Sequence, residues 1–140
     1  MEKQEFVKIR KYLGKTQKQL AQLLGISIKA IHSFEQEWRN IPGYVERQVL
    51  FLLFANEAIN RNHKACWVIK NCSMVIRQKC PAWEFQLGQL CWFINGTICQ
   101  GKVQKNWSEK MKICRNCNVF TSTMPAILSS DIQLTPETAS

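Results

Sequence analysis

All seven cysteines of this 140-residue chain fall between Cys66 and Cys117. That crowding constrains the fold more than any other feature. A loop-rich segment of this size cannot bury enough apolar surface to be stable alone, so it needs cross-links or metal. An odd number of thiols cannot all pair within one chain. The N-terminus, Met1-Glu2-Lys3-Gln4-Glu5, is charged and is followed by no apolar stretch of a secretory signal. Disulfide frameworks belong to oxidising compartments, whereas clustered thiols in a reducing one usually hold metal. The expectation is a cytoplasmic protein whose cysteine segment is stabilised by metal, with metal-free thiol–disulfide switching as the other option.

The residues before Cys66 contain no cysteine and carry a different pattern. The division expected is 1–58 for an N-terminal helical domain, 59–65 for a connector, 66–120 for the cysteine domain and 121–140 for a flexible Ser/Thr-rich tail. Net charge is +9. Residues 1–64 contribute 11 basic against 6 acidic side chains, and residues 65–140 contribute 8 against 4. Such an excess suits a polyanionic partner through phosphate contacts and counterion release. The longest apolar run, Val49 to Ala55, is far short of the roughly 18 residues of a membrane span, so no membrane partner is expected.

Phe6, Ile9 and Leu13 recur at helical spacing, and Gly14 ends that helix. Thr16 suits the N-cap of a second helix, Gln17 to Leu24, which Gly25 stops in a left-handed conformation. Ser27 suits the N-cap of a third helix running to about Trp38, with Ala30, Ile31 and Phe34 inward. Pro42 or Gly43 opens a fourth helix through Ala55, apolar on most faces after Val49. Such a helix has to be covered on more than one side. A generic helical bundle would satisfy the periodicity equally well.

The stretch Thr16-Gln17-x-x-Leu20-Ala21-x-x-Leu24-Gly25-Ile26-Ser27-x-x-x-Ile31-x-x-x-Glu35 narrows this. It resembles the helix-turn-helix DNA-binding domain of the lambda-repressor/Cro type over about residues 4–55. The resemblance implies that Gln17 binds a phosphate oxygen and that Ser27, Ile28, Lys29, His32 and Ser33 face the major groove. Lys29 would donate to guanine and Ile28 would pack on a thymine methyl. Arg39, with Asn40, would contact the DNA backbone. Glu35 falls at a position with a structural role. A homodimer on double-stranded DNA is the expected assembly.

The cysteines run C-x5-C-x7-C-x10-C-x7-C-x14-C-x2-C, with two similar halves at Cys66-Trp67…Cys72 and Cys91-Trp92…Cys99. Asn95-Gly96 is a tight-turn signal for a small hairpin between Trp92–Ile94 and Thr97-Ile98. Elsewhere the segment shows no long period. Cys114-x2-Cys117 is a chelating pair, but no second C-x2-C completes a zinc ribbon. His63 is a further candidate donor.

Cys66-Trp67, Cys72, Cys80-Pro81-Ala82, Cys91-Trp92, Gly96-Thr97, Cys99, Gly101-Lys102-Val103-Gln104, Lys110 and Cys114/Cys117 together resemble the two-CW cysteine-rich module of anaerobic and metal-respiring bacteria. That resemblance implies an iron–sulfur cluster, [4Fe–4S] by ligand number, with zinc as the alternative. The candidate ligands are Cys66, Cys72, Cys80, Cys91, Cys99, Cys114 and Cys117, with Cys114 and Cys117 foremost.

The fold expected is mainly α, a helix-turn-helix bundle plus a small loop-rich, metal-stabilised cysteine domain with a short β-hairpin. The function expected is a DNA-binding transcriptional regulator that senses redox state or metal through an iron–sulfur cluster. The alternative is a regulator whose cysteine domain is a structural zinc or disulfide module for dimerisation or partner recruitment. No enzyme is expected: the chain has no phosphate loop, acid pair or nucleophile elbow, and Cys114–Cys117 lies in no βαβ pattern.

Overall fold

A computed structural model describes residues 1–57 and 64–128. The chain divides into two compact units, Met1–Leu53 with the segment from Met124, and Phe54–Thr123. The boundary thus falls inside a helix, earlier than the polar connector suggested. His63 lies outside the described residues. The architecture is mainly helical with one two-stranded antiparallel sheet. No helix among the described residues is long and apolar enough to cross a membrane.

In the first unit, α1 (Lys3–Tyr12), α2 (Gln17–Leu24) and α3 (Ile28–Glu35) pack with α3 against both others. Local chemistry sets their ends. Thr16 accepts from the backbone N–H of Gln19 at 3.1 Å, and Gln19 Oε1 accepts from Thr16 N at 2.9 Å, a reciprocal capping box. Gly25, at φ 68°, turns the chain out of α2, and Ile26 N–H closes on Ala21 O at 3.0 Å. Ser27 Oγ then accepts from Ala30 N at 3.1 Å and opens α3.

Helix α3 ends at Glu35, short of Trp38. Glu37 adopts φ 62° and Trp38 N–H reaches back to Ser33 O at 2.9 Å, so the helix stops in a left-handed exit without glycine. Phe6, Ile9, Leu20, Ile31 and Phe34 are buried together, with Phe6 edge-on to Phe34 at 5.9 Å. Each such side chain contributes about 1.5–3 kcal/mol by leaving water. Helix α4 (Gly43–Glu57) buries Val45, Val49, Leu50 and Leu53. A 3₁₀ turn at Ala126–Leu128 brings the chain back to lie against α1.

The second unit is built from short turns of helix: α5 (Cys66–Ile69), α6 (Met74–Arg77), α7 (Pro81–Glu84) and α8 (Cys91–Ile94), then β1 (Ile98–Cys99), β2 (Lys102–Val103), α9 (Trp107–Arg115) and α10 (Asn118–Thr123). The two Cys-Trp dipeptides occupy equivalent places, each opening a four-residue helix. Asn71 at φ 51° ends the first and Gly96 at φ 60° the second. Cys72 N–H closes on Trp67 O at 3.0 Å, so the x5 spacing is one helical turn plus its left-handed exit.

The hairpin exists but not where Asn95-Gly96 placed it. Its strands pair Ile98 with Val103 and Cys99 with Lys102, across Gln100 (φ 50°) and Gly101 (φ 80°). Two successive positive φ angles make the primed turn that suits strand twist. Asn95 is instead buried, its side chain drawn into tertiary bonds described below. The expected tail also begins later than 121, because α10 runs to Thr123 and both Thr123 and Met124 are buried.

Candidate functional site

On the first unit, the residues singled out around α3 divide into three kinds. Ser27, Ile28, Lys29 and His32 are exposed, and Ile28, Lys29 and His32 share one helical face at three- and four-residue spacing. Ser33 is half-buried, and its hydroxyl donates to Lys29 O at 3.0 Å. Arg39 is exposed, its guanidinium lying 5.4 Å over the Phe34 ring, with Asn40 exposed beside it.

Gln17 faces a different partner from the phosphate expected of it. Its Nε2 donates to Glu35 Oε2 at 2.7 Å. The other Glu35 oxygen accepts two bonds from Arg10, at 3.1 and 2.8 Å, and Arg10 Nη1 donates to Lys15 O at 3.0 Å. One buried carboxylate therefore ties α1, α2 and α3 together and fixes the angle at which α3 presents its outer face. The sequence placed Glu35 in a structural role, and these bonds are what that role consists of.

In the second unit thiols pack into the core alongside apolar side chains. Cys66, Ala82 and Val119 are buried together, with Trp67, Ile69, Cys80, Cys91, Ile94 and Cys117 packed against them. None of the seven is in a disulfide. The Cys91 thiol donates to the Cys66 sulfur, which lowers the Cys66 pKa and drives that of Cys91 far up. Burial pushes the Cys114 thiol up to about 12, and raises Cys72 and Cys99 as well.

The charges that the sulfurs feel map their neighbourhood. Cys66 senses Cys80 and Cys72, and Cys72 senses Cys80, Cys99 and Cys91. Cys99 senses Cys117 and Cys91, and Cys114 senses Cys91, Cys99 and Cys117. Four of them, Cys66, Cys80, Cys91 and Cys117, pack together around Ala82 and Val119. Asn95 supports this packing from within, its Oδ1 accepting from Ala82 N at 2.8 Å and its Nδ2 donating to Cys80 Sγ at 3.4 Å. Gly88 is required by close approach: a Cβ there would stand 2.6 Å from Ala65 Cβ and 2.9 Å from the Trp67 ring. Its carbonyl accepts from Cys66 N at 2.9 Å.

A cation is buried in this unit as well. Lys110 is 1% exposed. Its ammonium donates to Trp92 O and lies 5.2 Å over Trp107. Its charge favours the thiolate forms of Cys114, Cys91 and Cys99. A buried ammonium calls for nearby negative charge, which these sulfurs would provide only on losing their protons. In the sequence Lys110 stands only as a point of resemblance, and Lys70, Arg77, Lys79, Lys102 and Lys105 are further cations of the cysteine segment. Of these, Lys70 and Arg77 reach thiols, Cys99 and Cys72 respectively. The missed signal is the α9 face Trp107-Lys110-Met111-Cys114, a helical stripe interrupted by one lysine.

Sulfur donors are of the kind that thiophilic metals and iron–sulfur clusters take, but only Cys66 and Cys114 are buried and the other five are part-exposed. Trp92 Nε1 is also buried, with no hydrogen-bond acceptor among the described residues. No group of three or more Cys, His, Asp or Glu stands at metal-holding distance among the described residues. Comparison with family models, curated proteins and solved structures returns no match.

Proposed function

We propose that the chain is a DNA-binding transcriptional regulator in which a thiolate-held metal centre in the second unit senses redox state or metal. The observation that carries the DNA half is α2–Gly25–Ile26–Ser27–α3, with Ile28, Lys29 and His32 on the outer face of α3 and the Arg10–Gln17–Glu35 network behind it. That arrangement suits insertion of α3 into the major groove, where Lys29 and Ile28 read base edges and Arg39 meets phosphate. Two copies on a palindromic site would supply the contact area that one such domain lacks.

The sensing half rests on thiols packed in the core of the second unit and on the buried Lys110 ammonium, which acts on Cys91, Cys99 and Cys114. An iron–sulfur cluster held there would supply electron transfer or lability towards oxidants. The protein's part is to shield the sulfurs, fix their turns through Asn95 and Gly88, and balance charge through Lys110. One observation favours a second reading, a structural zinc module: Cys66 and Cys114 are buried in the core of the unit with other thiols packed against it, so loading and folding would be coupled.

The test is anaerobic purification of the full chain with iron, sulfide and zinc analysis. It is followed by selection of a binding duplex from random DNA and measurement of affinity before and after oxidation or chelation. Salt-dependent, sequence-selective binding that shifts at least several-fold on oxidation is expected. Failure to select any duplex sinks the DNA reading. Unchanged affinity after the centre is lost sinks sensing and leaves the structural role.

A further inference from the structure

The charge of the chain is not spread evenly between its two units. Residues 1–57 carry 9 basic against 6 acidic side chains, whereas residues 64–123 carry 9 against 2. The unit that holds α3 is thus the less basic of the two. Within the second unit no acidic residue stands between Lys64 and Trp83, or between Phe85 and Ser108. Of its two acids, Glu109 is engaged by Lys112 at 3.1 Å.

The cations of this unit divide by what they touch. Lys110 is buried. Arg77 is half-buried, donating to Cys72 O at 3.0 Å with its guanidinium 5.0 Å over the Trp83 ring. Both hold the fold from within. Lys79, Lys102 and Lys105 are exposed, and none of them forms an ion pair among the described residues. The fold brings them together from separate segments. The turn of the hairpin rests on the end of α6: a Cβ on Gly101 would stand 3.8 Å from Ile76 Cγ2 and 3.9 Å from Lys79 Cβ. Lys102 follows that glycine directly and is held opposite Cys99. Lys105 comes just after the hairpin closes, where Gln104 N–H reaches Thr97 O at 2.8 Å.

Like charges gathered without counter-charge are relieved by a polyanion, which gives up condensed counterions as it binds. Strands of two residues each span about 7 Å, too short to follow a groove and read several bases. Phosphate oxygens, in contrast, need only donors at the surface, and each lysine supplies three. We propose that Lys79, Lys102 and Lys105, on α6 and the hairpin, form a second, sequence-independent contact that binds the phosphate backbone of duplex DNA. One chain then carries a reading contact on α3 and a holding contact on the cysteine unit, and linking the two raises affinity without adding selectivity.

This inference rests on the DNA-binding reading and adds a surface to it. The test uses the full chain, reduced and purified anaerobically, with the selected duplex and an unrelated duplex of equal length. Fluorescence anisotropy gives the affinity for each across a range of salt. The triple variant Lys79→Gln/Lys102→Gln/Lys105→Gln should lose about ten-fold or more in affinity for both duplexes and keep the ratio between them. Its salt slope should flatten by about 2–3, as the loss of three phosphate contacts requires. The triple arginine variant at the same positions should bind as the unaltered chain does. Unchanged affinity and slope in the glutamine variant overturn the surface, hand its charge to an acidic protein partner and leave reading by α3 intact. A loss confined to the selected duplex, or shared by the arginine variant, also overturns it, because phosphate contact is blind to sequence and needs only charge. If the unaltered chain binds no duplex, this inference and the reading beneath it fall together.

Discussion

Removing the Glu35 carboxylate leaves the Arg10 guanidinium and the Gln17 amide without their shared acceptor in a site where the ion-pair side chains are only 14% and 6% exposed. Breaking a buried pair from one side costs about 3–5 kcal/mol. Glu35→Ala is therefore expected to destabilise the first unit by about that amount, read as a shifted urea midpoint; a loss below about 1 kcal/mol would refute the role. The exposed residues of α3 behave differently. If α3 reads DNA, Lys29→Ala should lower affinity by about 1–3 kcal/mol and relax preference at one base position. Arg39→Ala should weaken binding evenly across sequences and flatten its salt dependence. Binding curves of both variants against a panel of duplexes separate the two outcomes.

At the scale of the element, what can be read from sequence is what the chain settles locally. Thr16, Gly25 and Ser27 act within a few residues of themselves, so the borders of α2 and the start of α3 are visible without a structure. Thr16→Ala should cost about 1 kcal/mol through loss of the cap, measurable by thermal unfolding, with no change expected in the second unit. Asn95-Gly96 shows the opposite case. Its turn chemistry is intact, but the Asn95 side chain is taken up by Ala82 N and Cys80 Sγ, and the hairpin forms at Gln100-Gly101 instead. Helix α9 escaped notice because Lys110 interrupts its apolar stripe, and only long-range folding reveals that the lysine meets thiols. Gly88 is a consequence of the same docking: Gly88→Ala drives a methyl into Ala65 and Trp67 and should cost about 1–3 kcal/mol or more through overpacking. A near-neutral effect on unfolding of the cysteine unit would show that α5 does not seat against Gly88.

For the whole molecule, the two units draw on different sources of stability. The first has an apolar core of Phe, Ile, Leu and Val side chains. The second buries Trp92, Met111, Val119 and Phe120, with Cys66 and Cys114 among them and further thiols packed part-buried against this core. If the second unit holds metal, chelation should remove near-ultraviolet tryptophan signals from it while the cooperative unfolding of the first persists. Loss of both transitions together would mean that the units are not independent in stability.

The return of the chain at Met124 to Leu128, against α1, has a consequence for the order of synthesis. On the ribosome, α1 to α3 emerge early and can associate as soon as they are clear. The segment that lies against α1 is made only after every cysteine has been translated. The N-terminal unit is thus closed last, by residues from the far side of the cysteine unit. A fragment cut between the units lacks that closing turn, so its stability measures an earlier stage of assembly than the finished fold.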